Sequence, residues 1–342
     1  MNDFAPAKRI SSFHPPQRTL MGPGPTEIHP RVLTTMSQPA IGYLDPVFVE
    51  MMEELKSLLR YVYQTKNPLT FPLSGPGSVG MEYCFVNMVA PGDKVVVCQN
   101  GVFGGRMLEN VIRMGGTPVK VDEWEIDAIY SASQKCLSCT PGLSPVSFSE
   151  RVVEHVKKRK DKIHSWFMDM NLLLGYWNAG TRTYHHTAPT NSLFALHEAL
   201  LLIREEGLEN AWARATRHHL ALKAGLEAMG MKMLVAEKHQ LPQMNAVQCP
   251  HGVNEEEVRK RLLNEFGIEI GAGLGPLKGK IWRIGLMGYS CRPDNVMLCL
   301  SALGSVLSDM GMPVHVGDAE AAAHGAYAQM HVRDAQRKKR AA

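Results

Sequence analysis

No stretch of this sequence strings together the roughly 18 apolar residues that a membrane-crossing helix requires, and its first residues lack the apolar run of a signal peptide. The expectation is a soluble, cytoplasmic protein with no membrane contact. Charge of one sign is also scarce. The net charge is +4 over 342 residues, with basic and acidic side chains mixed, so no nucleic-acid-binding face is expected. The one dense basic run, Arg337 to Arg340, sits at the chain end and reads as a solvated tail. Cysteine is sparse and odd in number, seven in all, with Cys84, Cys98, Cys249 and Cys299 inside apolar segments, which suits buried thiols in a reducing compartment. Cys136 and Cys139 form a CxxC, but no second ligand pair accompanies them. His185-His186 and His218-His219 lack the i, i+4 spacing of a helical metal site, so no metal is expected.

What is present is a globular composition, 45% hydrophobic and 20% charged, on a chain long enough for a large domain and a smaller one. Residues 1–20 carry three prolines without periodicity and read as an arm. Asp45-Pro46 is an N-cap followed by the first residue of a helix, and Phe48, Met51, Met52, Leu55, Leu58, Leu59 and Val62 follow at helical spacing. A strand from Leu69 to Leu73 meets the turn Ser74-Gly75-Pro76-Gly77-Ser78, then an apolar helix to Met88, then a strand from Lys94 to Cys98. That order is the pattern of a parallel sheet covered by helices. Further strands are predicted at 117–121, 126–130 and 143–148, the last followed by a helix capped by Ser149.

From residue 191 the texture changes to two long helices closed by Gly207 and Gly230. Short strands (232–235, 268–270, 280–284) and helices (255–266, 293–307) then alternate in an α+β unit running to 310. Residues 311–342 are Ala-, His- and charge-rich without an apolar stripe, and disorder is predicted for them. The boundaries are therefore 1–20, 21–190, 191–310 and 311–342.

Two nucleotide signatures are absent. Gly271, Gly273 and Gly275 lack the G-x-G-x-x-G spacing, and Gly279-Lys280 has neither the earlier glycine nor the following hydroxyl of a phosphate loop. Ser131-Ala132-Ser133-Gln134-Lys135 says more, because a lysine directly after a buried strand is a costly place for an ammonium unless it has work to do. Burial favours the neutral amine, which can condense with an aldehyde. Arg283, among Ile281, Trp282 and Ile284, is likewise hard to explain as solvated surface.

In order along the chain stand GPGPTEIHPRV, SGPGSVGME, NGVFGG, DAIYSASQKCLS, YHHTAPTNSLFALHEAL, GLENAW and GIEIGAGLGPLKGKIWRIGLMG. Over residues 20–310 this succession resembles the class V pyridoxal-phosphate aminotransferases of the alanine–glyoxylate and serine–pyruvate type. The resemblance implies an α/β, aspartate-aminotransferase-like fold (PLP fold type I), with a mostly parallel sheet, helices on both faces and a C-terminal α+β domain. It also implies a homodimer with active sites at the subunit interface. Pyridoxal 5'-phosphate would be the cofactor, and a small amino acid and a 2-oxo acid would be the substrates.

Carried over residue by residue, Lys135 would hold the cofactor covalently and shuttle a proton. Gly77 and Ser78, at a helix start, would bind its phosphate, joined by Gln134 and, from the other subunit, by Tyr184 and Thr187. Phe103 would stack on the ring. Gly24 would line the substrate pocket by backbone, and Arg283 would grip the substrate carboxylate through two parallel hydrogen bonds.

The chain departs from this family between ENVIRMGG and GGTPVKVDEWEIDA, where two further βα units are expected, the second carrying the aspartate that pairs with the pyridine nitrogen. Met114 to Thr117 reads as a splice of two similar Gly-Gly boundaries, and neither Asp122 nor Asp127 matches the lost aspartate. The leading expectation is transfer of an amino group from alanine or serine to glyoxylate or pyruvate. The rivals are a shortened, weakly active form acting as a dimer partner and a desulfurase-like lyase, the latter lacking a cysteine on an evident mobile loop.

Overall fold

The computed structural model describes residues 11–97, 106, 107, 109, 110, 113, 117–119, 127–177 and 182–341. Phe103, Asp122 and the Gly115-Gly116 junction lie outside the described residues.

The chain enters through β1 (Thr19–Leu20), α1 (Pro30–Met36) and α2 (Pro46–Tyr63). The Asp45 side chain accepts from the Val47 N–H at 2.9 Å, which satisfies one of the free donors at the start of α2. Next come β2 (Leu69–Ser74), α3 (Gly77–Met88), β3 (Lys94–Val96), β4 (Thr117–Val119), β5 (Ala128–Tyr130), β6 (Leu143–Phe148), α4 (Glu150–Lys158) and α5 (Met170–Trp177). Strand β6 lies between β2 and β5 and runs against both, so β2 and β5 share a direction. Strands β3 and β4 form a separate parallel pair among the described residues.

Strands β2 and β6 are buried nearly throughout, whereas β5 leaves Ile129 39% exposed. A strand sandwiched on both edges and both faces would not show its isoleucine to water in this way.

The remainder is α6 (Thr190–Glu206), α7 (Leu208–Ala228), β7 (Met244–Gln248), α8 (Glu255–Phe266), β8 (Ile268–Glu269), β9 (Gly271–Ala272), β10 (Ile281–Gly285), α9 (Pro293–Asp309) and α10 (Val316–Ala341). Here β10 is the centre of an antiparallel sheet, between β7 and β9. No helix among the described residues is long and apolar enough to cross a membrane.

Two apolar cores divide the molecule. One gathers Phe48, Leu55, Phe71, Tyr83, Phe148 and Leu196, and the other Leu222, Leu226, Val247, Trp282, Leu300 and Leu303. Helix α6, expected with the second unit, buries Leu193, Leu196 and Leu200 in the first core, so the packing changes over near Gly207.

At the end of the arm, Thr19 and Leu20 pair in parallel with Ile268 and Glu269 and deliver Met21 to the second core. Two local expectations differ from what is observed. The predicted strand 232–235 is reduced to one bridge, Met233 to Val247, with Leu234 and Val235 partly exposed, while the ladder is made by 244–248. The stretch after Gly311, for which disorder is predicted, forms α10 instead. Alanine provides the reason. Ala319 and Ala323 are fully buried, and the small faces let α10 lie close on α7, where the Ala319 carbonyl comes within 3.0 Å of where a Cβ on Gly225 would stand. An alanine stripe was mistaken for the lack of an apolar one.

Candidate active site

Strand β5 ends at Tyr130, and the turn that follows carries Gln134 and Lys135 towards the start of α3. There is a physical reason for the proximity. Gly77 has no side chain to obstruct Ala132, and a Cβ on Gly77 would stand 2.7 Å from the Ala132 Cβ. Helix α3 begins with no side-chain cap, because Pro76 occupies the N-cap, so the first N–H groups of the helix stay available to a ligand. Around them lies a cavity of about 500 Å³ lined by Gly77, Ser78, Arg106, Tyr130, Gln134 and Lys135. The structure thus brings four of the sequence-predicted residues, Gly77, Ser78, Gln134 and Lys135, to one cavity.

Lys135 is half-buried, and its Nζ donates to the Pro23 carbonyl at 2.7 Å. Burial pushes its pKa below the usual lysine range. The Cys136 thiol acts the other way, and the nearby positive charge of Arg283 adds to the lowering. Gly24 is adjacent, with φ +105°, and a Cβ there would come within 3.3 Å of the Lys135 Cγ. The turn thus needs glycine for its backbone angle and for its closeness to the lysine.

Arg283, on β10, donates through Nε to the Ala272 carbonyl at 2.6 Å. Burial pushes its pKa down, yet it remains a cation. Its placement depends on two glycines. A Cβ on Gly271 would strike Pro23 at 2.5 Å, and one on Gly285 would strike the Gly22 carbonyl oxygen at 2.1 Å. The turn 22–25 is therefore wedged between the strand bearing Arg283 and the loop bearing Lys135.

Tyr184 and Thr187 are not in this cavity. Tyr184 is 52% exposed, lies against Tyr43 with ring centroids 5.3 Å apart, and its hydroxyl is 3.4 Å from that of Thr187. The segment is anchored next to the helix-start turn by His186, whose Nε2 is 3.1 Å from the Ser74 hydroxyl. Asp127 is engaged elsewhere, by the Ser149 hydroxyl at 2.6 Å and by Arg151, whose hydrogen bond holds its carboxyl below the usual range.

The sequence reading missed Arg106, Thr26 and Ser138. Arg106 adds a cation to the cavity and stands three residues after Phe103 in the quoted NGVFGG segment. Thr26 receives no attention in the motif, although its N–H donates to the Gln134 carbonyl at 3.2 Å. Ser138 has φ +55°, which no residue pattern announces.

The residues suit an aldehyde-bearing phosphate. An uncapped helix start, an adjacent arginine and a lysine whose pKa is lowered converge on one cavity, and the Gln134 amide oxygen is buried with no hydrogen-bond partner among the described residues. Such an amide can turn its NH₂ end towards an anion.

Comparison with known proteins agrees. The family model for class-V aminotransferases matches residues 108–292. The (S)-ureidoglycine–glyoxylate transaminase of Bacillus subtilis is 34% identical over 91% of this chain and 96% of its own length, and the mouse alanine–glyoxylate aminotransferase is 32% identical over 85% and 88%. The Bacillus match extends over 399 positions against the 342 residues here, so at least 57 of those positions (399 − 342) have no counterpart in this chain. Among solved structures, the Bacillus subtilis ureidoglycine–glyoxylate aminotransferase superposes with a TM-score of 0.89, covering 93% of this chain and all of that one. The alanine–glyoxylate aminotransferase of a Nostoc species superposes with 0.84 at 36% identity, covering 88% and 98%. A model spanning more than half the chain and a relative one-third identical over nine-tenths of it place the chain in the class-V aminotransferase family, whose cofactor is pyridoxal phosphate.

Proposed function

We propose that this chain moves an amino group from alanine or serine to glyoxylate or pyruvate, as a cytoplasmic homodimer. The observation that carries the reading is a half-buried Lys135 with a lowered pKa between an uncapped helix start and Arg283. Pyridoxal phosphate supplies the aldehyde that takes up the amino group and the ring that accepts electrons from the substrate Cα. The chain's own residues do the rest. Gly77, Ser78 and Gln134 bind and orient the phosphate, and Lys135, whose pKa burial lowers, offers Nζ first as the covalent anchor and then as the base and acid at Cα. Arg283 holds the amino acid by its carboxylate, and the Gly22–Pro25 turn closes the pocket beside it. Phe103 is assigned to the ring face. Tyr184 and Thr187 are assigned to a partner's phosphate, a role that suits a tyrosine left half in water by a single chain.

The missing stretch bears on rate. Alignment positions without a counterpart, an exposed Ile129 on β5 and a β3–β4 pair separate from β2-β6-β5 all support the reading that two βα units are absent from the middle of the sheet. The lost aspartate would leave the pyridine nitrogen without its acid, so proton removal from Cα should be slow, and this favours a shortened, weakly active form, able to act as a dimer partner, over a fully competent enzyme. The test is borohydride reduction with pyridoxal phosphate and peptide mapping, beside alanine-to-glyoxylate turnover with and without the two units restored. We expect the label on Lys135 in both forms and turnover at least a hundredfold higher in the restored one. A label on another lysine refutes the site, and equal turnover refutes the loss of the acid.

A further inference from the structure

Three segments that are distant in sequence meet at one hydroxyl. Ser138 ends the tight turn that begins at Lys135, closed by its own N–H donating to the Lys135 carbonyl at 2.9 Å. Its Oγ donates to the Glu27 carbonyl at 2.8 Å and accepts from the Tyr289 N–H at 2.8 Å, with the Thr26 hydroxyl 3.4 Å away. The serine hydroxyl thus uses its one proton and accepts one hydrogen bond, while the Thr26 hydroxyl donates to the Lys135 carbonyl at 3.4 Å. The Ser138 side chain itself does not line the cavity that would hold the cofactor. What it touches is the frame. Thr26 and Glu27 continue the turn whose Pro23 carbonyl holds the Lys135 Nζ, and Tyr289 follows the strand that carries Arg283.

The contact is close enough to be selective. Gly288 has φ +52°, and a Cβ there would come within 2.5 Å of the Ser138 Oγ. Ser138 itself has φ +55°, a conformation that costs any residue with a Cβ and that glycine adopts without penalty. A serine kept where glycine would fit better points to the hydroxyl as the reason.

We infer that Ser138 is a positioning residue that sets the distance between the amine of Lys135 and the guanidinium of Arg283, and with it the fit of the small amino acid held between them. The inference rests on the roles proposed above for Lys135 and Arg283. Removing the hydroxyl frees the Tyr289 N–H and the Glu27 carbonyl and lets the two halves of the pocket drift apart. The phosphate cradle, built on α3 and Gln134, does not depend on that bond.

The experiment compares wild type, Ser138→Gly and Ser138→Ala, each loaded with pyridoxal phosphate. It measures cofactor affinity, the alanine concentration that half-changes the visible band of the bound cofactor, and borohydride labelling of Lys135. Two hydrogen bonds at the usual net strength correspond to roughly a tenfold rise in half-saturating alanine for both variants, with cofactor affinity kept within about twofold. The alanine variant removes the hydroxyl alone, and the glycine variant, which also relieves the backbone, should fold at least as well, so an effect shared by both belongs to the hydroxyl. Unchanged alanine saturation in Ser138→Gly overturns the inference. So does a parallel fall of cofactor and alanine affinity, which would mean a general loosening. If wild type is not labelled on Lys135, the site reading fails instead, and the two failures are thus told apart.

Discussion

Gly77→Ala is a one-methyl change whose effect can be worked out from the geometry. The new Cβ would stand 2.7 Å from the Ala132 Cβ, with the Ser131 carbonyl oxygen and the Ala132 Cα both at 3.6 Å. Carbon atoms rest at about 3.5–4.0 Å, so the start of α3 and the loop after β5 must separate by about 1 Å. Neither side is the flexible end of a long side chain, so the strain falls on backbone. Overpacking of this kind costs about 1–3 kcal/mol. The opposing gain from replacing glycine in a helix is at most about 1 kcal/mol, and less in the first turn, so the clash decides the sign.

The same 1 Å acts on function. It moves the N–H groups of Gly77 and Ser78 away from Gln134 and Lys135, and a hydrogen bond lengthened by that amount is lost. Bonds to a charged group contribute about 1.5–3 kcal/mol each, so one lost bond weakens pyridoxal phosphate binding roughly ten- to a hundredfold. The assay is a cofactor titration followed by protein fluorescence, beside urea melting of the apoprotein. Ala132→Gly supplies the control, because it removes the atom being struck. The double variant should bind cofactor within a few-fold of wild type. Wild-type affinity in Gly77→Ala, or a folded double variant that stays weak, refutes the argument that close approach at this point forms the cradle.

Arg283→Lys should raise half-saturating alanine at least tenfold with little change in cofactor affinity, since an ammonium cannot make the paired contact of a guanidinium to a carboxylate; spectral titration with alanine reads both. Lys135 gives the pH dependence. Its folded pKa is lowered, so between that value and the ordinary lysine range the unfolded chain binds the extra proton, and apoprotein stability rises with pH across that window. Lys135→Met should remove this part of the rise, and melting curves for the two proteins that stay parallel over the window would refute the burial argument.

Which features could be read from residues alone follows from how local their causes are. Helix α2 was legible because its Asp45 cap, Pro46 and apolar spacing lie within one segment, and the helix of the structure, Pro46–Tyr63, agrees within a residue or two. The cavity was legible as a set of motifs, but only packing shows why they converge. Gly77 against Ala132, Gly271 against Pro23 and Gly285 against Gly22 are approaches between segments far apart in sequence. Helix α10 was missed because alanine carries little hydrophobic signal, yet its smallness is what allows a close helix pair. Ser138 was invisible for another reason. Its importance lies in a φ of +55° and three partners from two other segments, and neither can be expressed as a spacing.

The proposed loss of two βα units has a consequence for both the sheet and the site. In a sheet, each interior strand satisfies its neighbours' backbone groups and covers their side chains, so removing two strands from the middle would expose an edge instead of shortening the sheet harmlessly. Such a loss would account for β5, where Ile129 is exposed while β2 and β6 stay buried. Yet Lys135 follows β5 directly, and its loop is held from the other side by Ser133 to Thr140, by Thr26 to Gln134 and by Ser138 to Glu27 and Tyr289. The first of these closes the loop on itself, and the others run to the N-terminal turn and to Tyr289 beyond β10, away from the side of the sheet where the two units are proposed to be missing. The lysine, the helix start and the arginine can therefore keep their relation to one another while the sheet beside them is incomplete. On that proposal cofactor binding and proton transfer would separate, because the proposed binding groups would hang on the retained side and the ring-nitrogen acid would have belonged to the lost one.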